Sequence, residues 1–550
     1  LNCSIFALHG LPLLLRRRGV ERALEGQLPD SPEQHGYTAG ENPWLIALSV
    51  MLATFMEILD TAIASVALPY IAGSLSASTD EATWVLTSYL VANAVILPTS
   101  NWFALKFGRK RFLMTCVAIF TVSSFLCGAA PSLVFLLLAR VAQGAGGGAL
   151  QPLSQSILIE SFSPARRGIA MALFGLGVVV APVIGPTLGG YLTDTYSWRY
   201  AFYINIPVGI LCLFMIGRFV HDPPHIRKAK AGPFDNIGFG LLTVWTGALQ
   251  IILDRGQQDD WTGAVWLRWA ILLCVAAFVW FVVHCLRAEH PLVDLRVLKN
   301  RNFLVGSILI MFFGMALYSL VTVLPLFYQE LLGYTAFTAG IAVFPRGFGA
   351  IFALPVITFL GARVDTRYLL TFGLALFGGL ALYFGQVTLA VGPDTLFWPI
   401  VITGFAFSFC FVPINTVSYG MLKPAEIGNA SGLYNLLRNI GGSIGISLAQ
   451  TLLTRRTDAH QNDIVNSVPQ AGAAFEQRMR GLQNYLGHET APANAAHAAQ
   501  GVIYQQLGMQ AHLWAFVDFF RYLAVLCAFS IGLVWCFKKV TKKRAPAGAH

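Results

Sequence analysis

Apolar runs long enough to cross a bilayer recur fourteen times along this chain, and no other feature constrains its fold as strongly. A bilayer core takes about 20 apolar residues per helix. Windows of that size fall near residues 44–70, 82–104, 111–130, 133–159, 167–192, 200–219, 235–253, 264–286, 303–328, 337–360, 368–389, 396–420, 428–453 and 512–537. Lipid offers no hydrogen bonds, so each run must satisfy its own backbone, and a helix does this. The predicted class is an all-α polytopic membrane protein with 14 transmembrane helices. Composition agrees: 12% of the 550 residues are charged, against about 25% in soluble domains.

The formal net charge of +10 falls mostly in short loops. This assigns it to orientation in the lipid bilayer rather than to nucleic acid. Lys106, Arg109, Lys110 and Arg111 follow span two, and Arg166 and Arg167 follow span four. Arg218, Arg227, Lys228 and Lys230 follow span six; Arg287, Arg296, Lys299 and Arg301 follow span eight. The odd-numbered loops hold little beyond Arg199, Arg255 and Arg268. Cytoplasmic loops carry the excess of Lys and Arg, so an even number of spans places both termini in the cytoplasm. Residues 1–43 are expected as a disordered cytoplasmic tail: their apolar piece is too short to span and the charge order is wrong for a secretory signal. Residues 538–550 form a basic cytoplasmic tail. The long loop 454–511 falls on the outer face, and its "NAAHAAQGVIYQQLGMQAH" stretch reads as helix.

The nine cysteines are scattered, with no C-x-x-C pair, and indicate packing rather than a metal or disulfide framework. His221, His225 and His290 form no metal grouping, and His284 with Cys285 are adjacent, not spaced as ligands on one helix face. No phosphate-binding loop is present, so neither metal nor cofactor is expected. A membrane-embedded sensor or enzyme would need a soluble domain or a catalytic constellation, and neither is visible.

Charge inside the apolar runs is rare. An ionisable side chain near the bilayer centre costs about 2.5–3.5 kcal/mol on insertion scales, and so marks function by default. The stretch "MEILDTAIASVALP" carries Glu57 and Asp60 in span one. Arg140 lies in span four, Arg346 in span ten, Arg438 in span thirteen, and Asp518 and Arg521 in span fourteen. Asp518 and Arg521 are three residues apart, a spacing that lets them neutralise each other on one helix face. Glu57 is open to two readings, solvated near the cytoplasmic mouth or working with Asp60. Asp60 lies about 24 Å along its helix from Trp44 and has no opposite charge on that helix. Arg140 is its natural partner, since the "QGAGGGAL" run beyond it permits close helix approach. Desolvation opposes charge on a buried carboxylate and a nearby guanidinium favours it, so a small movement could load or release a proton. A static buried ion pair is the alternative.

Three further stretches bear on the family: "NWFALKFGRKRF" (101–112), "LLLARVAQGAGGGALQP" (136–152) and "GLGVVVAPVIGPTLGGYLTD" (175–194). The last crowds glycines around Pro182 and Pro186, which remove backbone donors and favour kinks. In this order, after "LDTAIASVALP", they resemble the major facilitator superfamily, and within it the fourteen-span drug:proton antiporters of the EmrB/QacA type. "LDRGQQDDW" (253–261), "NASGLYNLLRNIGGSIG" (429–445) and the long loop before span fourteen also look like this family, the loop like the EmrB branch in particular.

The resemblance implies the major facilitator fold: six-helix bundles over 44–220 and 303–537, with two inserted helices and linkers in 221–302. It implies alternating access about a midplane site. On it, Asp60 is a proton carrier and Arg140 takes part in proton coupling, with Glu57 beside them. Gly185, Pro186, Gly189 and Gly190 form the antiporter motif, a bend and close-packing seam. Gly108, Arg109, Lys110 and Arg111 belong to a cytoplasmic gate. That gate motif ordinarily opens with Gly and carries Asp four residues later, where this chain has Asn101 and Leu105. Arg109 therefore needs another partner, for which a carbonyl at a helix C-terminus is the expectation. The second-half loop "GARVDTRYL" keeps Asp365 and Arg367, and is expected to carry more of the locking.

The function implied is export of amphipathic toxic compounds in exchange for protons across a bacterial inner membrane. Proton-coupled transport of one dedicated solute, such as a siderophore or fatty acid, is the rival. The resemblance also implies a periplasmic adaptor and an outer-membrane channel as partners, with the outer loop as docking element.

Overall fold

The computed structural model describes residues 42–162, 166–222, 232–389, 391–467, 472–486 and 492–538. Nearly all of the 1–43 tail, the linker residues His225, Arg227, Lys228 and Lys230, and the basic tail beyond Lys538 lie outside the described residues.

Among the described residues, regular structure is entirely helical. The N-terminal half contains α1 (Pro43–Ser74), α2 (Thr79–Phe107), α3 (Arg109–Gly128), α4 (Leu133–Gly147), α5 (Leu150–Ser161), α6 (Arg167–Thr195), α7 (Tyr200–Tyr203) and α8 (Asn205–Phe219). Two helices follow, α9 (Asn236–Arg255) and α10 (Val265–Arg287). The C-terminal half contains α11 (Arg301–Leu326), α12 (Ala336–Val343), α13 (Arg346–Arg363), α14 (Thr366–Phe384), α15 (Pro393–Tyr419), α16 (Pro424–Ser467), α17 (Ala473–Leu486) and α18 (Pro492–Val534).

Local chemistry sets many of the boundaries. Asn42 accepts from Trp44 N with Pro43 at the first turn of α1, an arrangement that suits a helix start. Ser78 and Glu81 form a reciprocal capping box before α2. Gly108, at φ +86°, turns α2 into α3 where a side chain would be strained. Asp365 caps α14 by accepting from Arg367 N.

Among the described residues, thirteen helical runs are long and apolar enough to cross a membrane, with α4–α5, α7–α8 and α12–α13 each counted as one. The expected span thirteen, α16, brings the number to fourteen. Its 44 residues are long enough, but "NASGLYNLLRNIGGSIG" and a polar extension dilute its hydropathy. Large apolar side chains face outward, as on α10, where Leu272, Val275, Val279 and Trp280 are each more than half exposed. Water would not tolerate such a belt; lipid does.

The structure refines the expected spans. Span four is two helices, broken at Gly148–Ala149. Span ten is also two, broken at Phe344–Pro345, and α11 ends in a π-turn over Phe327–Leu331. The outer-loop stretch expected as helix is helix, continuous with span fourteen in α18 from Pro492, while α16 runs past 453 to Ser467. Span five, α6, is one continuous helix through Pro182 and Pro186.

The two halves meet along a seam in which α6 packs against α12, α13 and α15, while α16 packs against α2 and α5. The inserted α9 touches both α2 and α16. On the face that carries the basic loops, Gly428 lies against Asn101 and Gly432 against Pro98. Towards the opposite face, Gly340 lies against Thr187.

Candidate functional site

Asp60 and Arg140 meet inside the N-terminal half, both with no solvent exposure. Arg140 Nη1 donates to Asp60 Oδ2 at 2.7 Å and to Gln143 Oε1 at 2.8 Å, and Nε donates to the Val85 carbonyl at 3.0 Å. The other carboxylate oxygen accepts from Gln143 Nε2 at 2.9 Å and Asn205 Nδ2 at 2.7 Å. Ser124 Oγ accepts from the same two amides, at 3.2 and 2.9 Å. The guanidinium lies 4.3 Å from the centroid of the Tyr89 ring. Glycines create this geometry. A Cβ at Gly144 would fall 2.4 Å from the Tyr89 carbonyl oxygen, and one at Gly148 would fall 2.5 Å from that of Asn93. Only a bare backbone lets α4 approach α2 so closely.

Glu57 points into a different neighbourhood. It is 4% exposed, which removes the solvated-mouth reading. Its carboxylate accepts from Asn93 Nδ2 at 3.0 Å, from Tyr89 OH at 3.3 Å, and from Gln151 Nε2. The Gln151 carbonyl in turn accepts from Arg438 Nη2 of α16. One amide therefore joins a carboxylate of the N-terminal half to a guanidinium of the C-terminal half. Asn439 adds a second crossing, donating to Asn93 Oδ1 at 3.4 Å. Nearer the basic face, Gln155 of α5 contacts Asn415, Tyr419 and Asn435 at 2.7, 3.1 and 2.7 Å. Tyr89 belongs to both tiers, with its ring under Arg140 and its hydroxyl on Glu57.

Arg109 does not end on a carbonyl. Its Nη1 is 2.6 Å from Glu160 Oε2 at the end of α5, and both side chains are buried. Glu160 supplies the carboxylate that Leu105 cannot. Lys110 N donates to Asp222 at 2.8 Å and its Nζ to the Gly217 carbonyl at 2.6 Å, while Arg111 is exposed. A Cβ at Gly108 would strike the Asp222 carboxylate at 2.6 Å. In the second half, the Asp365 carboxylate serves as a helix cap on Arg367 N at 3.1 Å.

In the glycine-rich stretch of α6, a Cβ at Gly185 would fall 2.3 Å from Ala62 Cβ, and one at Gly189 would fall 3.2 Å from Ile63 Cα. Pro186 and Gly190 lie in the same turns, so this surface holds α6 tightly against the part of α1 that follows Asp60. Asp518 is not neutralised by Arg521 alone. Arg521 is 3.5 Å away, but His460 of α16 is closer at 2.9 Å and Arg456 stands at 3.8 Å. Arg346 and Arg438 are both sealed from solvent. Among the described residues no cluster of His, Cys, Asp and Glu suits a metal ion.

Tyr89, Asn93, Ser124, Gln143, Gln151 and Asn205 complete the site without carrying a charge, so a pattern of charges does not mark them. Their signal was an amide or hydroxyl in an otherwise apolar run, as at Gln143, one turn from Arg140.

Comparison with known proteins fits this arrangement. Residues 50–446 match the model of the Major Facilitator Superfamily. The chain belongs to that superfamily. The chain is 35% identical to the multidrug export protein EmrB of Escherichia coli over 90% of this chain and 95% of that protein. It is equally identical to the fatty acid resistance protein FarB of Neisseria gonorrhoeae, over 90% and 96%. The colistin resistance protein EmrB of Acinetobacter baumannii is 31% identical over 88% and 94%. These matches place the chain in the EmrB-type branch. In fold, it resembles the crystal structure of the human organic anion transporter MFSD10, with a TM-score of 0.54 and 15% identity, covering 90% of this chain and all of that one. The chain is a multi-pass membrane transporter with the major facilitator fold.

Proposed function

We propose that this transporter exports amphipathic toxic compounds from the cytoplasm in exchange for protons, with both termini in the cytoplasm of a bacterial inner membrane. The observation that carries the reading is the Asp60–Arg140 pair: a carboxylate with no solvent exposure, one guanidinium and two amides as partners, all within the N-terminal half. Such a pair can exchange a proton without disturbing the C-terminal half directly. Protonation of Asp60 removes the counter-charge of Arg140, whose remaining neighbours are Gln143, the Val85 carbonyl and the Tyr89 face. Tyr89 transmits that change to Glu57 and so to Gln151 and Arg438 across the seam. The bodies that rock are residues 44–220 and 303–537, with 221–302 between them.

The relatives' names support export of drugs as cargo. An adaptor and outer-membrane channel are the proposed partners, with the helical projection of α16, α17 and α18 as docking element. The test is substrate-induced proton release from purified protein, wild type against Asp60→Asn. Normal release by the variant sinks the reading.

A further inference from the structure

Arg346 is a buried cation without a counter-charge. All three of its side-chain nitrogens are buried and lack a hydrogen-bond partner among the described residues. A guanidinium offers five N–H donors, and an unpaired buried charge is expensive. Arg140, equally buried, has a carboxylate, an amide and a carbonyl. Tyr328 is an ionisable neighbour of Arg346. Arg346 is the first residue of α13, immediately after the break at Phe344–Pro345, and no side chain caps that helix start. The Gly347 and Phe348 N–H groups of that turn donate back to the Phe344 and Pro345 carbonyls, so they do not serve the arginine side chain.

The surroundings suit an apolar body. The guanidinium lies 5.9 Å from the centroid of Phe407, which packs against Phe313 and Phe377 at 5.5 and 4.7 Å. The arginine backbone is fixed: a Cβ at Gly404 would fall 1.9 Å from the Arg346 carbonyl oxygen. The broken helix also lies in the seam, where α12 and α13 pack on α6, so parting of the halves uncovers it.

We propose that Arg346 is a seat for an anionic head group carried on an apolar tail. The proposal rests on the efflux reading and names a chemical class of cargo for it. A carboxylate or phosphate supplies the missing counter-charge and accepts two parallel N–H bonds from the guanidinium fork. A cation is repelled there, and an uncharged amphiphile leaves the charge unanswered. The head group has two possible sources, an exported carboxylate or an anionic lipid of the bilayer.

The test is equilibrium binding to the full-length transporter in phosphatidylcholine nanodiscs, followed by tryptophan quenching. The probes are dodecanoate, dodecanol and dodecyltrimethylammonium. Wild type should prefer dodecanoate, and Arg346→Gln should weaken dodecanoate by at least about tenfold, the scale of a charge-assisted hydrogen bond, while dodecanol affinity stays the same. Arg346→Lys should fall between. Including phosphatidylglycerol separates the sources: competition with dodecanoate assigns the seat to lipid as well, and no competition assigns it to the carboxylate alone. Two results overturn the proposal. One is a monodisperse Arg346→Gln that binds dodecanoate like wild type. The other needs no variant: wild type that does not distinguish dodecanoate from dodecanol. No proton gradient is present, so the outcome is independent of whether Asp60 carries the proton.

Discussion

Arg140 in the N-terminal half and Arg346 in the C-terminal half are both sealed from solvent, yet their circumstances are opposite. Arg140 meets Asp60, Gln143, the Val85 carbonyl and an aromatic face. The Arg346 guanidinium faces the Phe407 ring and has no hydrogen-bond partner among the described residues, while Arg438, on the seam, bonds Gln151 through Nη2 and leaves Nε and Nη1 without partners there. Both intramembrane carboxylates of the midplane, Glu57 and Asp60, belong to α1. The N-terminal half therefore holds a carboxylate–guanidinium pair in which Arg140 Nη2 alone lacks a hydrogen-bond partner among the described residues. The C-terminal half holds Arg346, whose three nitrogens have no hydrogen-bond partner among the described residues, and Arg438, which reaches Glu57 through Gln151. On the exchange proposed above, that division separates the two cargoes in space and leaves the seam to couple them.

The strongest way to break this contrast is Asp60→Asn. The asparagine keeps the shape and loses the charge. In liposomes carrying a pH-sensitive dye, substrate-driven proton movement should fall by at least about 100-fold, the lower range for loss of a positioned proton-transfer group. Coupling at the wild-type rate would move the carrier elsewhere, with Glu57 as the next candidate.

Stability offers a second cut. Arg140→Gln leaves Asp60 as a buried carboxylate with only amide partners, and breaking such a pair costs about 3–5 kcal/mol. Arg346→Met removes a buried charge that has no partner, so its cost should be near zero and its sign can favour the variant. Thermal midpoints in the same detergent, without ligand, measure both. Equal losses for the two variants would mean that Arg346 has a counter-charge in the resting protein.

The physical reasons why some of this was legible in sequence are specific. Asp60 and Arg140 stand alone as charges in apolar runs, and a charge in lipid must find its opposite. The direction of Glu57 was not readable. It sits one turn from Asp60, and its partners Asn93, Tyr89 and Gln151 are neutral groups that a count of charges ignores. Glu160 fell one residue beyond the expected end of span four at 159, so Arg109 looked partnerless. The fourteen spans follow from hydropathy, but the extensions of α16 and α18 are polar helix that hydropathy cannot register. Pro345 hints at the break before Arg346, yet Pro182, Pro186 and Pro355 lie inside unbroken helices. Proline alone does not say which helix will part.

A gentler change presses on the N-terminal half through its packing. Gly185→Ala places a methyl 2.3 Å from Ala62 Cβ, two residues beyond Asp60. Forcing α6 from α1 should cost about 1–3 kcal/mol, the usual range for overpacking. The proton path should suffer with it, since Asp60 shifts relative to Arg140. Gly240→Ala is the matched control, because no atom lies within 4 Å of the added methyl. If both substitutions leave the thermal midpoint and proton coupling unchanged, α1 and α6 are not held in register by this seam.

The smallest expected effect addresses the connection between the halves. Tyr89 contributes its ring to Arg140 at 4.3 Å and its hydroxyl to Glu57 at 3.3 Å. Tyr89→Phe keeps the first contact and deletes the second. The lost bond is long and its acceptor keeps Asn93 and Gln151, so the energetic change should be about 0.5–1.5 kcal/mol, a few-fold in rate. The informative quantity is where that loss falls. If Tyr89 transmits the protonation state of Asp60 to the seam, proton release on substrate binding weakens while equilibrium affinity for substrate holds. If the hydroxyl only helps to bury Glu57, affinity and proton release decline together, and the link between the two tiers has to pass through α1 itself.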